Sequence, residues 1–101
     1  MDMLSRVCKK NNAFLVVDAA HVVGAIKIDL KKTQVDFLSC GGQKSIAALP
    51  GTGFLYVNKK ILGKLKDFKV GIRSVSSFNL EGYHLKNTAD RFQDGTQNLA
   101  G

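Results

Sequence analysis

Apolar residues gather into short dense runs over the first part of the chain and thin out after Val70, and this change sets the elements the sequence predicts. Met3, Leu4, Val7 and Cys8 recur at helical spacing, which predicts an opening helix with Asp2 as its cap and Asn11-Asn12 as its stop. Ala13-Phe14-Leu15-Val16-Val17 is a continuous apolar run rich in β-branched residues. That is the pattern of a strand buried on both faces of a parallel sheet, and Asp18 ends it abruptly. A turn or short helix over residues 19–24 leads to Ile26-Lys27-Ile28-Asp29-Leu30, whose alternation fits an edge or connecting segment. Thr33 and Gln34 introduce a second buried strand over residues 35–40. Leu49-Pro50-Gly51-Thr52-Gly53 is a turn cluster, and Phe54-Leu55-Tyr56-Val57 is a third strand. Asn58 is placed to cap a following helix with Ile61, Leu62 and Leu65 facing inward.

Beyond Val70, Gly71, Gly82 and Gly95 are scattered among Ser, Asn and Thr, and residues 70–101 read mostly as loop. A loop of that length is uncommon in a compact domain unless it is functional or held by something else. The sequence stops at Leu99-Ala100-Gly101 without a closing element, and three strands with two helices leave sheet edges and faces to be covered. The expected architecture is therefore α/β, one part of a larger fold.

Composition narrows the class. A chain of 101 residues suits one small domain, and 45% hydrophobic residues exclude a disordered tail. No window approaches the roughly 18 consecutive apolar residues of a membrane span. Met1-Asp2-Met3 lacks the basic and apolar regions of a secretory signal, so a soluble cytoplasmic protein with no membrane partner is expected. Cys8 and Cys40 belong to no Cys-x-x-Cys or Cys/His cluster, which predicts free thiols and no metal site. The net charge of +7 comes from Lys9-Lys10, Lys31-Lys32 and the later Lys59, Lys60, Lys64, Lys66 and Lys69. Aromatic residues are not interleaved with these lysines, so solvated faces are expected rather than a nucleic-acid partner.

The chemistry gathers at two strand ends. Asp18 closes the first buried run, and Lys44 follows Gly41-Gly42-Gln43 just after the second. Ligands of open α/β sheets collect outside the carboxyl ends of the strands. One amine and one carboxylate there could hold an aromatic cofactor between them. A nucleotide-binding P-loop is excluded by spacing, because Gln43 and Leu38 stand where that motif needs glycine.

Four stretches, in order, carry a resemblance: Val17-Asp18-Ala19-Ala20-His21; Asp36-Phe37-Leu38-Ser39-Cys40-Gly41-Gly42-Gln43-Lys44; Pro50-Gly51-Thr52-Gly53-Phe54-Leu55-Tyr56-Val57; and Arg91-Phe92-Gln93-Asp94-Gly95-Thr96-Gln97-Asn98. They resemble the class V aminotransferase family, which includes cysteine desulfurases. Its members are pyridoxal phosphate enzymes of fold type I, generally homodimers, with a large domain on a mainly parallel sheet. The resemblance implies that residues 1–101 are a central part of that large domain, without its N-terminal part and without the C-terminal small domain. It implies that Lys44 holds pyridoxal phosphate as a Schiff base and serves as general base. Asp18 would pair with the pyridine nitrogen. His21 would lie near the phenolic oxygen, although a single His is more often a structural donor. Gln43, where relatives commonly have His, would help hold the phosphate, and Thr96 would reach the phosphate bound by the neighbouring subunit.

Gly41 stands where many relatives have Ser, Ser45 where Trp is frequent, and Ala48-Leu49 departs from the usual glycine and proline pattern. The family's glycine-rich phosphate turn and ring-stacking residue precede this chain's start. The arginine for substrate carboxylate and the desulfurase cysteine follow its end, so the 101 residues alone are expected to be inactive. The implied activity is aminotransferase, cysteine desulfurase or epimerase chemistry on a small amino acid substrate. The alternative is a catalytically inactive remnant serving only as a folding or interaction module.

Overall fold

The computed structural model describes residues 1–66 and 69–96. These fall into two compact units, one of Met1–Asn58 and a second beginning at Lys59. Gln97 and Asn98 of the fourth motif, and the closing Leu99-Ala100-Gly101, lie outside the described residues.

The first unit opens with helix α1, Asp2–Lys10. Met1, not Asp2, holds the cap position, and the Asp2 carboxylate sits within the first turn, where it complements the helix dipole. At the other end Asn12 takes φ 52°. The Ala13 N–H bonds the Cys8 carbonyl at 2.9 Å and the Asn12 N–H bonds the Lys9 carbonyl at 3.1 Å. This is a Schellman stop, with Asn tolerated in the left-handed position because its short polar side chain can bond locally. The packed face is not the one the apolar spacing suggests. Met3, Leu4 and Val7 remain exposed, while Ser5 is buried and Cys8 is half-buried against the core.

Strands β1 (Val16–Asp18), β2 (Phe37–Gly41) and β3 (Gly53–Val57) form one sheet in that order. β1 and β2 run parallel with Asp18 beside Ser39, and β3 returns antiparallel with Gly53 beside Gly41. The long crossover between β1 and β2 permits the parallel pairing, and the short loop between β2 and β3 the antiparallel one. Asp36 fixes the entry to the pair: its Oδ2 accepts the Leu15 N–H at 2.9 Å, and the Leu15 carbonyl accepts the Phe37 N–H at 3.1 Å.

The main core lies on one face of this sheet, although Val57, in register with Phe37 and Val16, is buried on the other. Leu15, Ala19, Val35 and Leu38 form that main core, joined by Val17, Ile28, Leu30 and Tyr56. The first strand is therefore buried on one side only, contrary to the expectation of two. Phe14 and Val16 point the other way, Val16 with 66% of its surface exposed, and Phe14 meets Phe37 edge to face at 5.9 Å. The Ile26–Leu30 stretch forms no strand beyond a single bridge between Val23 and Ile26. It instead drapes Ile28 and Leu30 onto the core.

The second unit begins with a 3₁₀ helix, Lys59–Lys64, in place of the expected α-helix, although Ile61 and Leu62 are buried as predicted and Leu65 is half-buried. Gly63 interrupts a stretch too short to repay α-helix nucleation without tertiary support. The Arg91 guanidinium donates to the Leu62 and Leu65 carbonyls at 3.4 and 3.3 Å. The region after Val70 is not all loop: β4 (Val75–Asn79) and β5 (Gly82–Leu85) make an antiparallel hairpin. Asn79 Oδ1 accepts the N–H groups of Glu81 and Gly82, both at 3.0 Å, which closes its turn. A second 3₁₀ helix, Ala89–Phe92, follows.

Candidate active site

Asp18 is the last residue of β1 and is exposed. Its Oδ1 accepts the Ala20 N–H at 3.0 Å, an Asx turn that fixes the carboxylate at the strand end. Its Oδ2 has no hydrogen bond among the described residues. Pairing with β2 persists one residue further, where the Ala19 N–H bonds the Ser39 carbonyl at 2.8 Å. The Ala19 carbonyl then accepts the N–H groups of Val22 and Val23 at 3.0 Å, and His21 lies exposed within that turn.

Lys44 sits just past β2 in the loop that leads to β3. Gly42 anchors the base of this loop: its N–H donates to the Thr52 carbonyl and its carbonyl accepts the Ala48 N–H, each at 2.8 Å. A side chain at Gly42 would run into the Thr52 hydroxyl. Gly51, at φ +79°, occupies the third position of a turn closed by the Thr52 N–H on the Leu49 carbonyl at 3.3 Å, with Pro50 before it. Those are the residues a type II turn requires. Gln43 and Lys44 are both exposed, and the Lys44 carbonyl accepts the Ala47 N–H at 2.8 Å.

Two contacts join this loop to the turn after β1. The Ser45 N–H reaches the Ala20 carbonyl at 3.4 Å. Gly24, at φ +90°, lies directly behind Ser45, where a Cβ would stand 2.8 Å from the Ser45 carbonyl oxygen. Asp18 and His21 therefore share one turn, and Gln43 and Lys44 occupy the loop bonded to it, all at the carboxyl end of the parallel pair. Thr96 is exposed in the second unit, beyond the Ala89–Phe92 helix. The Gly24–Ser45 seat was not legible in the sequence, where Gly24 marks only a turn. Ser39, exposed beside Asp18 on the same sheet face, stands within the second motif but was assigned no role.

The arrangement offers a primary amine, a carboxylate oxygen, an imidazole and an amide, none of them engaged by another described side chain. No group of three or more His, Cys, Asp or Glu residues among those described could hold a metal ion. No described helix is long and apolar enough to cross a membrane. In sequence, the family described as Aminotransferase class-V matches residues 1–101. The chain belongs to that family. As a class-V aminotransferase family member it is 34% identical, over 101 residues, to a probable cysteine desulfurase of Pyrococcus abyssi, covering all of this chain and 25% of that protein. In structure it resembles the apo cysteine desulfurase of Thermococcus onnurineus NA1, with a TM-score of 0.82 and 31% identity over 96% of this chain and 24% of the other. It also resembles a C-DES mutant with glycine covalently linked to its PLP cofactor, with a TM-score of 0.81 and 25% identity over 94% of this chain and 26% of the other. The chain thus spans about a quarter of the length of the curated relatives it matches. The mixed sheet with its parallel pair is part of the α/β, fold type I domain that the four motifs pointed to.

Proposed function

We propose that this chain carries the cofactor-bearing centre of a pyridoxal phosphate enzyme acting on an amino acid, with Lys44 as the attachment residue. The observation that carries this reading is the bonding of the Lys44 loop to the turn that starts at Asp18, through Ser45 and Ala20. The donor set fits the cofactor: Lys44 for its aldehyde, the open Oδ2 of Asp18 for its ring nitrogen, and Gln43 for its phosphate. When bound, pyridoxal phosphate supplies an electrophilic carbon for amines and a ring that draws electrons from the substrate's Cα.

The chain's own residues do the rest. Lys44 Nζ binds covalently and moves the substrate proton, a task that suits a flexible primary amine. Asp18, oriented by the Ala20 N–H, holds a proton at the ring nitrogen. His21 donates near the phenolic oxygen, and Thr96 supplies a hydroxyl to the phosphate of a neighbouring subunit in a cytoplasmic homodimer. Among the reactions open to the family, cysteine desulfuration is the first to test, because the Pyrococcus and Thermococcus relatives carry that name.

Titration with pyridoxal phosphate, followed by visible absorbance, tests the assignment. Saturable binding is expected, weakened about tenfold or more by Asp18→Asn, since a hydrogen bond to a charged group contributes roughly 1.5–3 kcal/mol. Affinity unchanged by that substitution would remove Asp18 from the site. Binding that never saturates would favour the non-catalytic module.

A further inference from the structure

We infer that a polar hollow beside α1 is a binding site for a small phosphate-bearing anion. It is lined by Asp2, Ser5, Arg6, Lys9, Lys32 and Gln34, shares no residue with the candidate active site and lies within the first unit. Asp2, Ser5, Arg6 and Lys9 fall on one face of the helix because their spacing matches its turn. Lys32 and Gln34 close the hollow from the segment that precedes β2.

The frame is fixed on both sides. The Thr33 hydroxyl donates to Asp2 Oδ1 at 3.1 Å, tying that segment to the first turn of α1. Asp29 holds the segment from below: its Oδ1 accepts the Lys31 N–H at 3.0 Å and its carbonyl accepts the Thr33 N–H at 2.8 Å. Ser5 forms a small polar floor with 7% of its surface exposed.

The charge inside the frame decides the ligand. Arg6, Lys9 and Lys32 make no ion pair with any described residue, and the single carboxylate, Asp2, is engaged by Thr33. Three unneutralised cations over a hydroxyl floor repel metal ions and favour an anion of more than one charge. Arg6 supplies a planar fork, the two lysines point charges, and Ser5 and Gln34 neutral donors. That mixture matches a phosphate, whose oxygens accept charge-assisted bonds from several directions at once. A concave site at one helix face suits a small anion better than a nucleic-acid backbone, which needs a track of cations.

The test is a titration of the full chain with inorganic pyrophosphate at roughly 0.15 M salt, where exposed charges more than about 8 Å apart are largely screened. Backbone amide resonances report the site. Saturable shifts are expected at Ser5, Arg6, Lys9, Lys32 and Gln34. Replacing Arg6→Gln together with Lys32→Gln should weaken binding about tenfold or more, because two charge-assisted contacts are lost. Asp2→Asn should tighten it by a few fold. Shifts centred on Gln43 and Lys44, or spread over Lys59, Lys64 and Lys66 without saturation, would overturn the proposal. So would a double variant that binds like the parent chain, or displacement of pyrophosphate by a lower concentration of short duplex DNA.

Discussion

Gly24→Ala tests whether the Lys44 loop is held where the structure places it. Gly24 has φ +90°, and its Cβ position stands 2.8 Å from the Ser45 carbonyl oxygen and 3.2 Å from the carbonyl carbon. An L-residue forced into left-handed backbone costs roughly 1–2 kcal/mol. Overpacking against backbone, which cannot swing away as a side chain can, adds about 1–3 kcal/mol. The total expected loss is roughly 2–4 kcal/mol, somewhat below the sum because the loop can shift. Gly51→Ala is the control: φ is +79°, but nothing lies within 4 Å of its Cβ, so only the conformational part remains. Urea unfolding of both variants separates the two contributions, and amide exchange at Ser45 reports whether its bond to Ala20 opens. Equal destabilisation of the two variants, with Ser45 exchange unchanged at Gly24→Ala, would refute the seat.

Two further outcomes follow from the packing and the charges. Leu38, in β2 with 2% of its surface exposed, should lose about 2–5 kcal/mol in unfolding free energy on Leu38→Ala. Val16→Ala, on the open face, should stay within about 0.5 kcal/mol, and similar losses at both would contradict the one-sided core. Lys69 lies 3.1 Å from Asp94 and, as hydrogen-bond donor and opposite charge, holds that carboxyl below its ordinary 3.8. A depressed carboxyl pKa stabilises the fold above the ordinary value and loses that contribution as pH falls through the lowered one. Lys69→Met should therefore raise the Asp94 midpoint in an NMR titration, leaving the smaller effect of its own backbone N–H; an unmoved midpoint would rule out the pair.

The strand ends were legible because dense apolar runs stop at Asp18 and at Gly41, and a buried run broken by a polar residue has few alternatives. The burial of β1 was misread for a physical reason. A continuous apolar run records what a strand can bury, whereas α1 and the crossover cover only one face here. The helix face was misread in a related way, since Ser5 and Cys8 pack while the larger Met3, Leu4 and Val7 stay out. The β4–β5 hairpin escaped notice because its alternation is carried by serines and broken by a register shift between Val75 and Ser77. Asp18, His21, Gln43 and Lys44 could be named from motifs, but the bond between their loops depends on a backbone contact at Gly24 that no side-chain pattern encodes.

The most direct measurement is chemical. After equilibration with pyridoxal phosphate and reduction with borohydride, peptide mass mapping should find the pyridoxyl adduct concentrated on the peptide that contains Lys44, and Lys44→Ala should abolish it. An adduct distributed among Lys9, Lys32, Lys59 and Lys64 with no preference for Lys44 would contradict the account.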